Sequence, residues 1–220
     1  MCIRDSCTGD LSSFYFDIRK DALYCDPLGS TRRRACRTVM NEIFLRLTTW
    51  LAPIMCFTME EVWQARFPTE DGSVPLETYP EAPAAWRNDE IAAAMTELNA
   101  FRDEAFDAIE ALRKDGSIKS SLEASVRAPK TRLASAREVL GLTDAIDYAD
   151  PSNPADVLAD YLIVSKCQLS VESDDMLITD LKAAKGWSKC NRSWKYFQPK
   201  SGDAGDITAR DAAAVAAFDS

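Results

Sequence analysis

Asp10-Leu11-Ser12-Ser13-Phe14-Tyr15-Phe16-Asp17-Ile18-Arg19-Lys20-Asp21-Ala22-Leu23-Tyr24 decides the fold class. Leu11, Phe14, Ile18 and Ala22, with Cys25 just beyond, recur at intervals of three and four, so one apolar stripe runs along a helix from about Asp10 to Tyr24. Asp26-Pro27-Leu28-Gly29 breaks it. A second helix is expected from Ser30 or Thr31, with Ala35, Val39, Ile43 or Met40, Leu47 and Trp50 turned inward until Pro53. Thr58 with Glu61 has the spacing of a capping box, which predicts a third helix from about Met59 to Arg66 with Val62 and Trp63 available for packing. Pro68, Pro75, Pro80 and Pro83 mark an extended connector. Asn88 can cap a fourth helix whose stripe is Ile91, Met95, Leu98, Ala105, Ile109 and Leu112, with Arg102 at one seam position and Gly116 closing it.

After Gly116 the period changes. Ser120 to Val126, Tyr161 to Lys166 and Ala183 to Trp187 read as short strands, Thr131 to Leu140 and Pro154 to Asp160 as short helices. Thr208 and Asp211 open a terminal alanine-rich helix to about Phe218. The expected architecture is mainly α: a helical bundle over residues 7–116, a small α+β junction over 117–180 and a C-terminal module over 181–220. Met1 to Ser6 has neither the apolar core of a signal peptide nor a helix start, and is expected to be a non-native leader.

Composition limits the chemistry. The 220 residues contain no histidine, which removes Ser-His-Asp and Cys-His nucleophiles, a histidine base and histidine metal ligands. Seven cysteines, none in a CxxC pair, fit reduced thiols in a cytoplasmic protein. The glycines form neither a dinucleotide fingerprint nor a P-loop, and the longest run without a charge, Leu47 to Met59, is too short to span a bilayer. No catalytic residue is expected. With 26 basic and 35 acidic residues the net charge is −9, which by itself points away from nucleic acid.

The charge is unevenly spread. Residues 30–46 carry Arg32, Arg33, Arg34, Arg37 and Arg46 against Glu42 alone, at a helix start whose dipole adds positive potential. Residues 185–200 carry Lys185, Lys189, Arg192, Lys195 and Lys200 and no acid, interleaved with Trp187, Trp194, Tyr196 and Phe197. That interleaving suits single-stranded RNA, where cations hold phosphate and rings stack bases. Each segment has a plainer reading, a solvated helix face for the first and a Trp-anchored strand with wet lysines for the second. Lys119 beside Ser120 and Ser121 suits either a phosphate or a helix cap. Cys190-Asn191-Arg192-Ser193-Trp194 has a serine where a second cysteine would make half a zinc knuckle.

Five separated stretches resemble, in order, the class I aminoacyl-tRNA synthetases, and specifically the bacterial isoleucine enzymes: Asp10 to Tyr24, Arg33-Arg34-Ala35, Leu47 to Trp63, Ser120-Ser121-Leu122-Glu123-Ala124 and Lys189 to Lys195. The resemblance implies that residues 7–116 are part of an anticodon-binding bundle and that the chain is the C-terminal part of an ATP- and Mg-dependent ligase acting on tRNA(Ile). Its catalytic and editing domains would lie upstream. It further implies tRNA contact by Arg32, Arg33, Arg34, Arg37, Lys119, Lys189, Arg192, Trp194 and Lys195. The bacterial relatives commonly end in a zinc module; with only Cys190 kept, the resemblance implies that the zinc site is lost here and that Trp194 and the terminal helix replace it. The valine and leucine enzymes share the bundle, and the Cys190 to Trp194 segment favours the isoleucine enzyme over them. A helical scaffold with no RNA role is the alternative outside the family.

Overall fold

The computed structural model describes residues 3–141, 157–170, 175–199 and 206–219. It is mainly helical with a small sheet, as the sequence predicts, and divides into two compact units, Thr31–Arg87 and the combination of Met1–Ser30 with Asn88–Ser220. The boundaries expected at 116 and 180 do not coincide with this division, because the fourth helix shares one core with the sheet that follows it.

In the second of these units the leading helix is a wide π-type stretch, Ser6–Phe16, running into α1, Asp17–Cys25. Ile18, Ala22 and Cys25 are its buried face, as the spacing required. The long helix, here α4 (Asp89–Lys114), is capped by Asn88, whose side-chain oxygen accepts from the Ile91 amide at 3.0 Å. It buries Ala94, Leu98, Phe101, Ala105 and Ile109, while Ile91 is exposed, so the face is turned slightly from the expected one. Phe101 fills the seam position next to Arg102. The Arg102 guanidinium lies 4.1 Å from the Phe106 ring centre and 5.1 Å from that of Phe14, and its Nε donates to the Tyr161 carbonyl. These contacts let a half-buried cation keep its charge among rings, although burial pulls its pKa down.

The strands fall a few residues later than expected. β1 (Ala124–Pro129) pairs in parallel with β2 (Lys166–Ser170) and antiparallel with β3 (Leu177–Asp180), giving the order β2-β1-β3. α5 (Ala134–Leu140) starts three residues later than expected, ends at Leu140 as expected, and is closed by Gly141 in the left-handed region. α6 (Val157–Leu162) contains Tyr161 and Leu162, which sequence alone places in a strand; its expected start at Pro154 lies outside the described residues. The five residues of α6 from Leu158 to Leu162 are all buried, and a helix buried all round has no period to distinguish it from a buried strand. Ala183 to Trp187 is not a strand; the hairpin is β4 (Ser188–Lys189) with β5 (Tyr196–Phe197), and α7 (Ala209–Asp219) closes the unit.

In the other unit, α2 (Thr31–Leu51) packs on α3 (Cys56–Arg66) through Phe44, Leu45, Leu51, Ala52, Met59, Trp63 and Phe67. The Phe44 and Trp63 rings stack at 6.2 Å. Val39 and Trp50 are exposed rather than inward: Val39 lies before the stretch of α2 that packs on α3, and Trp50, although within that stretch, is not on the face formed by Phe44, Leu45 and Leu51. α3 begins three residues earlier than the Thr58 capping box predicts and has no side-chain cap, so Thr58 lies inside it. The proline-rich connector is pinned by side chains. Glu60 Oε2 accepts from Ser73 Oγ at 2.7 Å and from the Val74 amide at 2.9 Å, and Arg46 donates to the Glu81 carbonyl with its guanidinium over the Trp86 ring.

Candidate nucleic-acid interface

The arginine run occupies the first turns of α2, with Arg34 and Arg37 exposed and Arg32 and Arg33 half-buried. Helix dipoles favour acids at this end, and here there is none. Concentrating cations where they oppose the dipole costs the isolated helix stability and creates positive potential for an anion to relieve. Lys119 is exposed in the other unit, where its amide donates to Glu123 Oε2 at 2.8 Å and Ser120 Oγ caps the turn through the Leu122 amide. The serine thus does the capping its plainer reading required.

The basic-aromatic segment forms the β4–β5 hairpin and its turn. The Cys190 amide donates to the Lys195 carbonyl at 2.8 Å and the Trp194 amide to the Cys190 carbonyl at 2.9 Å, closing a turn in which Trp194 has φ +62°. A left-handed φ is costly for a large side chain. Here it presents an indole that is 62% exposed, with the exposed Lys189 ammonium 5.8 Å from its ring centre. Lys189 and Trp194 are therefore brought together as an accessible cation and stacking face. Lys166, which sequence reading missed, makes a second such pair with Trp187 at 5.7 Å. It comes from β2, about twenty residues away, and no local pattern joins the two.

Two members of the expected set serve the fold. Lys195 is only 6% exposed and its ammonium pairs with buried Asp160, which corrects its expected role as a tRNA contact. Burial lowers its pKa, but the charges of Asp160 and Asp21 and the hydrogen bond outweigh that, so the net shift is upward and the cation is secured. Arg192 spans two backbone carbonyls, those of Asp211 in α7 and Tyr24 in α1, at 3.0 Å each. It therefore fixes the turn that carries Trp194.

Behind the turn, the Cys190 thiol donates to Asp211 Oδ2 at 3.0 Å, and the same oxygen accepts from Thr208 Oγ1 at 2.8 Å. The Asp211 amide donates to Thr208 Oγ1, which caps α7 as expected. Arg210 grips Asp21 with both terminal nitrogens and also reaches Asp211. These residues do not fit a zinc centre. Cys190 and Asp211 are one thiol and one carboxylate already satisfied by hydrogen bonds, and no group of three metal-binding side chains occurs among the described residues.

Comparison with known proteins gives the family to which the chain is similar. The profile of the family described as the anticodon-binding domain of tRNA ligase matches residues 2–128. An isoleucine-tRNA ligase of Gluconobacter oxydans is 40% identical over 199 residues, covering 90% of this chain and 19% of the relative. One of Brucella abortus is 38% identical over 94% of this chain and 21% of its own length, and one of Ruegeria pomeroyi is 44% identical over 86% and 19%. The chain spans about a fifth of the length of the curated relatives it matches.

Proposed function

The chain belongs to the anticodon-binding domain family of tRNA ligases, and from that membership we propose that it reads the anticodon stem-loop of tRNA(Ile) as one part of a larger isoleucine-tRNA ligase. The observation that carries the reading is the exposed Trp194 indole with the Lys189 ammonium beside it, held on a turn that other side chains make rigid. Stacking on a ring suits an unpaired loop base, and the adjacent ammonium suits its phosphate. Arg32, Arg33, Arg34 and Arg37 are assigned to stem phosphates, which orient without specifying, and Lys119 to a further phosphate. Arg192 and Lys195 are assigned to positioning the turn.

The ATP and Mg chemistry of such a ligase is assigned to the parts of the enzyme that this chain does not span; nothing here is given a step in it. Placement in the cytoplasm, where tRNA is charged, follows from the same proposal. No described helix is long and apolar enough to cross a membrane.

The test is a mobility-shift titration of tRNA(Ile) and a noncognate tRNA at two ionic strengths. Binding that weakens with salt is expected. Arg33→Ala should weaken both tRNAs alike, and Trp194→Ala should weaken the cognate more, by about 1–3 kcal/mol. A scaffold with no RNA role predicts no salt-sensitive binding to either.

A further inference from the structure

The turn that carries Trp194 and the start of α7 repeat one spacing. Cys190 and Ser193 enclose two residues, as do Thr208 and Asp211, and the fold brings the two pairs to one point. Asp211 Oδ2 accepts from Cys190 Sγ at 3.0 Å and from Thr208 Oγ1 at 2.8 Å, and the Ser193 amide donates to Cys190 Sγ at 3.5 Å. Two pairs at this spacing are how a structural zinc site gathers four thiolate or imidazole ligands. Here the set is one thiol, one carboxylate and two hydroxyls, and a hydroxyl does not shed its proton as a zinc ligand must.

Distance decides against an ion as well. Thiolates at about 2.3 Å from a tetrahedral zinc stand about 3.8 Å from one another, whereas the two bonds to Asp211 Oδ2 are 3.0 and 2.8 Å. The side chains are separated by a shared proton. Cys190, Thr208 and Asp211 are all buried. The Ser193 hydroxyl is buried with no hydrogen-bond partner among the described residues, so this fourth position contributes through its amide. A buried carboxylate needs its charge balanced. Each pair encloses an arginine, Arg192 in the first and Arg210 in the second, and both reach α1. Arg210 Nη2 donates to Asp211 Oδ1 at 3.2 Å while the guanidinium grips Asp21, and Arg192 ties the Asp211 carbonyl to that of Tyr24.

We infer that Cys190, Ser193, Thr208 and Asp211 form a hydrogen-bonded clasp with the layout of a four-ligand zinc site, closed by Asp211 in place of an ion and braced on α1 by the two arginines. Asp211 is thereby a positioning residue for the Trp194 turn. The positioning role rests on the RNA reading above, and the layout of the clasp does not. Three substitutions to cysteine should convert the clasp into a metal site.

The test is cobalt(II) titration of the 220-residue chain, read by the visible absorption of tetrahedral cobalt thiolate. A triple variant carries Ser193→Cys, Thr208→Cys and Asp211→Cys beside the native Cys190. A second variant, Ser193→Cys with Thr208→Cys, keeps Asp211 as the fourth ligand. Both are refolded with the metal, since such sites form together with their ion. Each variant should take up one cobalt per chain, displaced by zinc, and the parent none. Failure of both variants to bind the ion overturns the clasp, as does tetrahedral cobalt binding by the parent. The positioning role is read with an RNA hairpin of the tRNA(Ile) anticodon stem-loop sequence, by fluorescence anisotropy. Chelation should weaken hairpin binding by the loaded triple variant about tenfold, on the scale of one lost stack, and should leave the parent unchanged. With Trp194→Ala added, chelation should change neither. Weaker binding by the chelated parent overturns the metal-free clasp, and a loss undiminished by Trp194→Ala overturns the positioning role. Cobalt uptake by the variants with no hairpin binding by any form supports the clasp and overturns the RNA reading alone.

Discussion

Removing the Lys195 ammonium would leave the Asp160 carboxylate buried without its cation, and breaking such a pair costs about 3–5 kcal/mol. Urea denaturation of Lys195→Met should show that loss, and replacing both partners by apolar residues, Lys195→Met with Asp160→Leu, should recover most of it. The pH dependence follows from the raised pKa of Lys195. Its contribution is whole below the usual lysine value of 10.5 and is lost only as pH rises through the higher folded value, so the parent should hold its unfolding midpoint to about pH 10. Arg192 acts through geometry. Arg192→Ala should cost about 2 kcal/mol for two charged hydrogen bonds, and Arg192→Lys should restore little, because a point charge cannot span two carbonyls. Lys189 and Lys195 are six residues apart in one basic run, one wet and one buried. What separates them is Asp160, brought in from α6, and no local pattern in the run announces it.

Among the elements, α3 and the connector offer a test in acid. Gln64 and Ser73, and to a lesser degree the Val74 amide, hydrogen-bond the Glu60 carboxylate and hold its pKa below the usual 4.5. Its contribution is therefore present above that value and is lost as pH falls through the lower folded one. Unfolding of the chain followed by Trp fluorescence from pH 6 to 3 should show this loss, and Glu60→Gln should flatten it. The connector read from sequence as extended because four prolines are visible and the partners of Glu60 are thirteen and fourteen residues away. α4 was legible to its cap because Asn88 and the apolar spacing are local signals that tertiary packing did not oppose. The inward face of α2 was misassigned because an apolar stripe says which side can be covered, and here the residues that pack on α3 are Phe44, Leu45 and Leu51, a face that includes neither Val39 nor Trp50. α7 was legible through Thr208 and Asp211, but the thiol bond from Cys190 to Asp211, across 21 residues, was not. That bond yields a metal prediction: dialysis against a chelator should leave the thermal midpoint unchanged, whereas Asp211→Ala should lower it by more than the usual cap loss of about 1 kcal/mol. A midpoint that falls on chelation would mean that a metal is bound.

For the whole molecule, a net charge of −9 and an RNA partner are reconciled by where the charges lie. Counterion release depends on the phosphates actually neutralised, so acids remote from the contact leave the number of ions released unchanged and act only through a long-range field that salt screens. The exposed or half-exposed cations assigned to phosphate are Arg32, Arg33, Arg34, Arg37, Lys119 and Lys189. If about four to six of them engage at once, log K against log salt should fall with a slope of about −3 to −5, on the measured scale of 0.7 to 0.9 per phosphate. Arg37→Ala should make that slope shallower by about one and weaken all tRNAs together. Lys195→Met should leave the slope unchanged, since its ammonium is paired with Asp160 and releases no counterion. A slope near zero for the parent would remove the arginine run from the interface. A slope altered by Lys195→Met in protein that remains folded would return Lys195 to the interface.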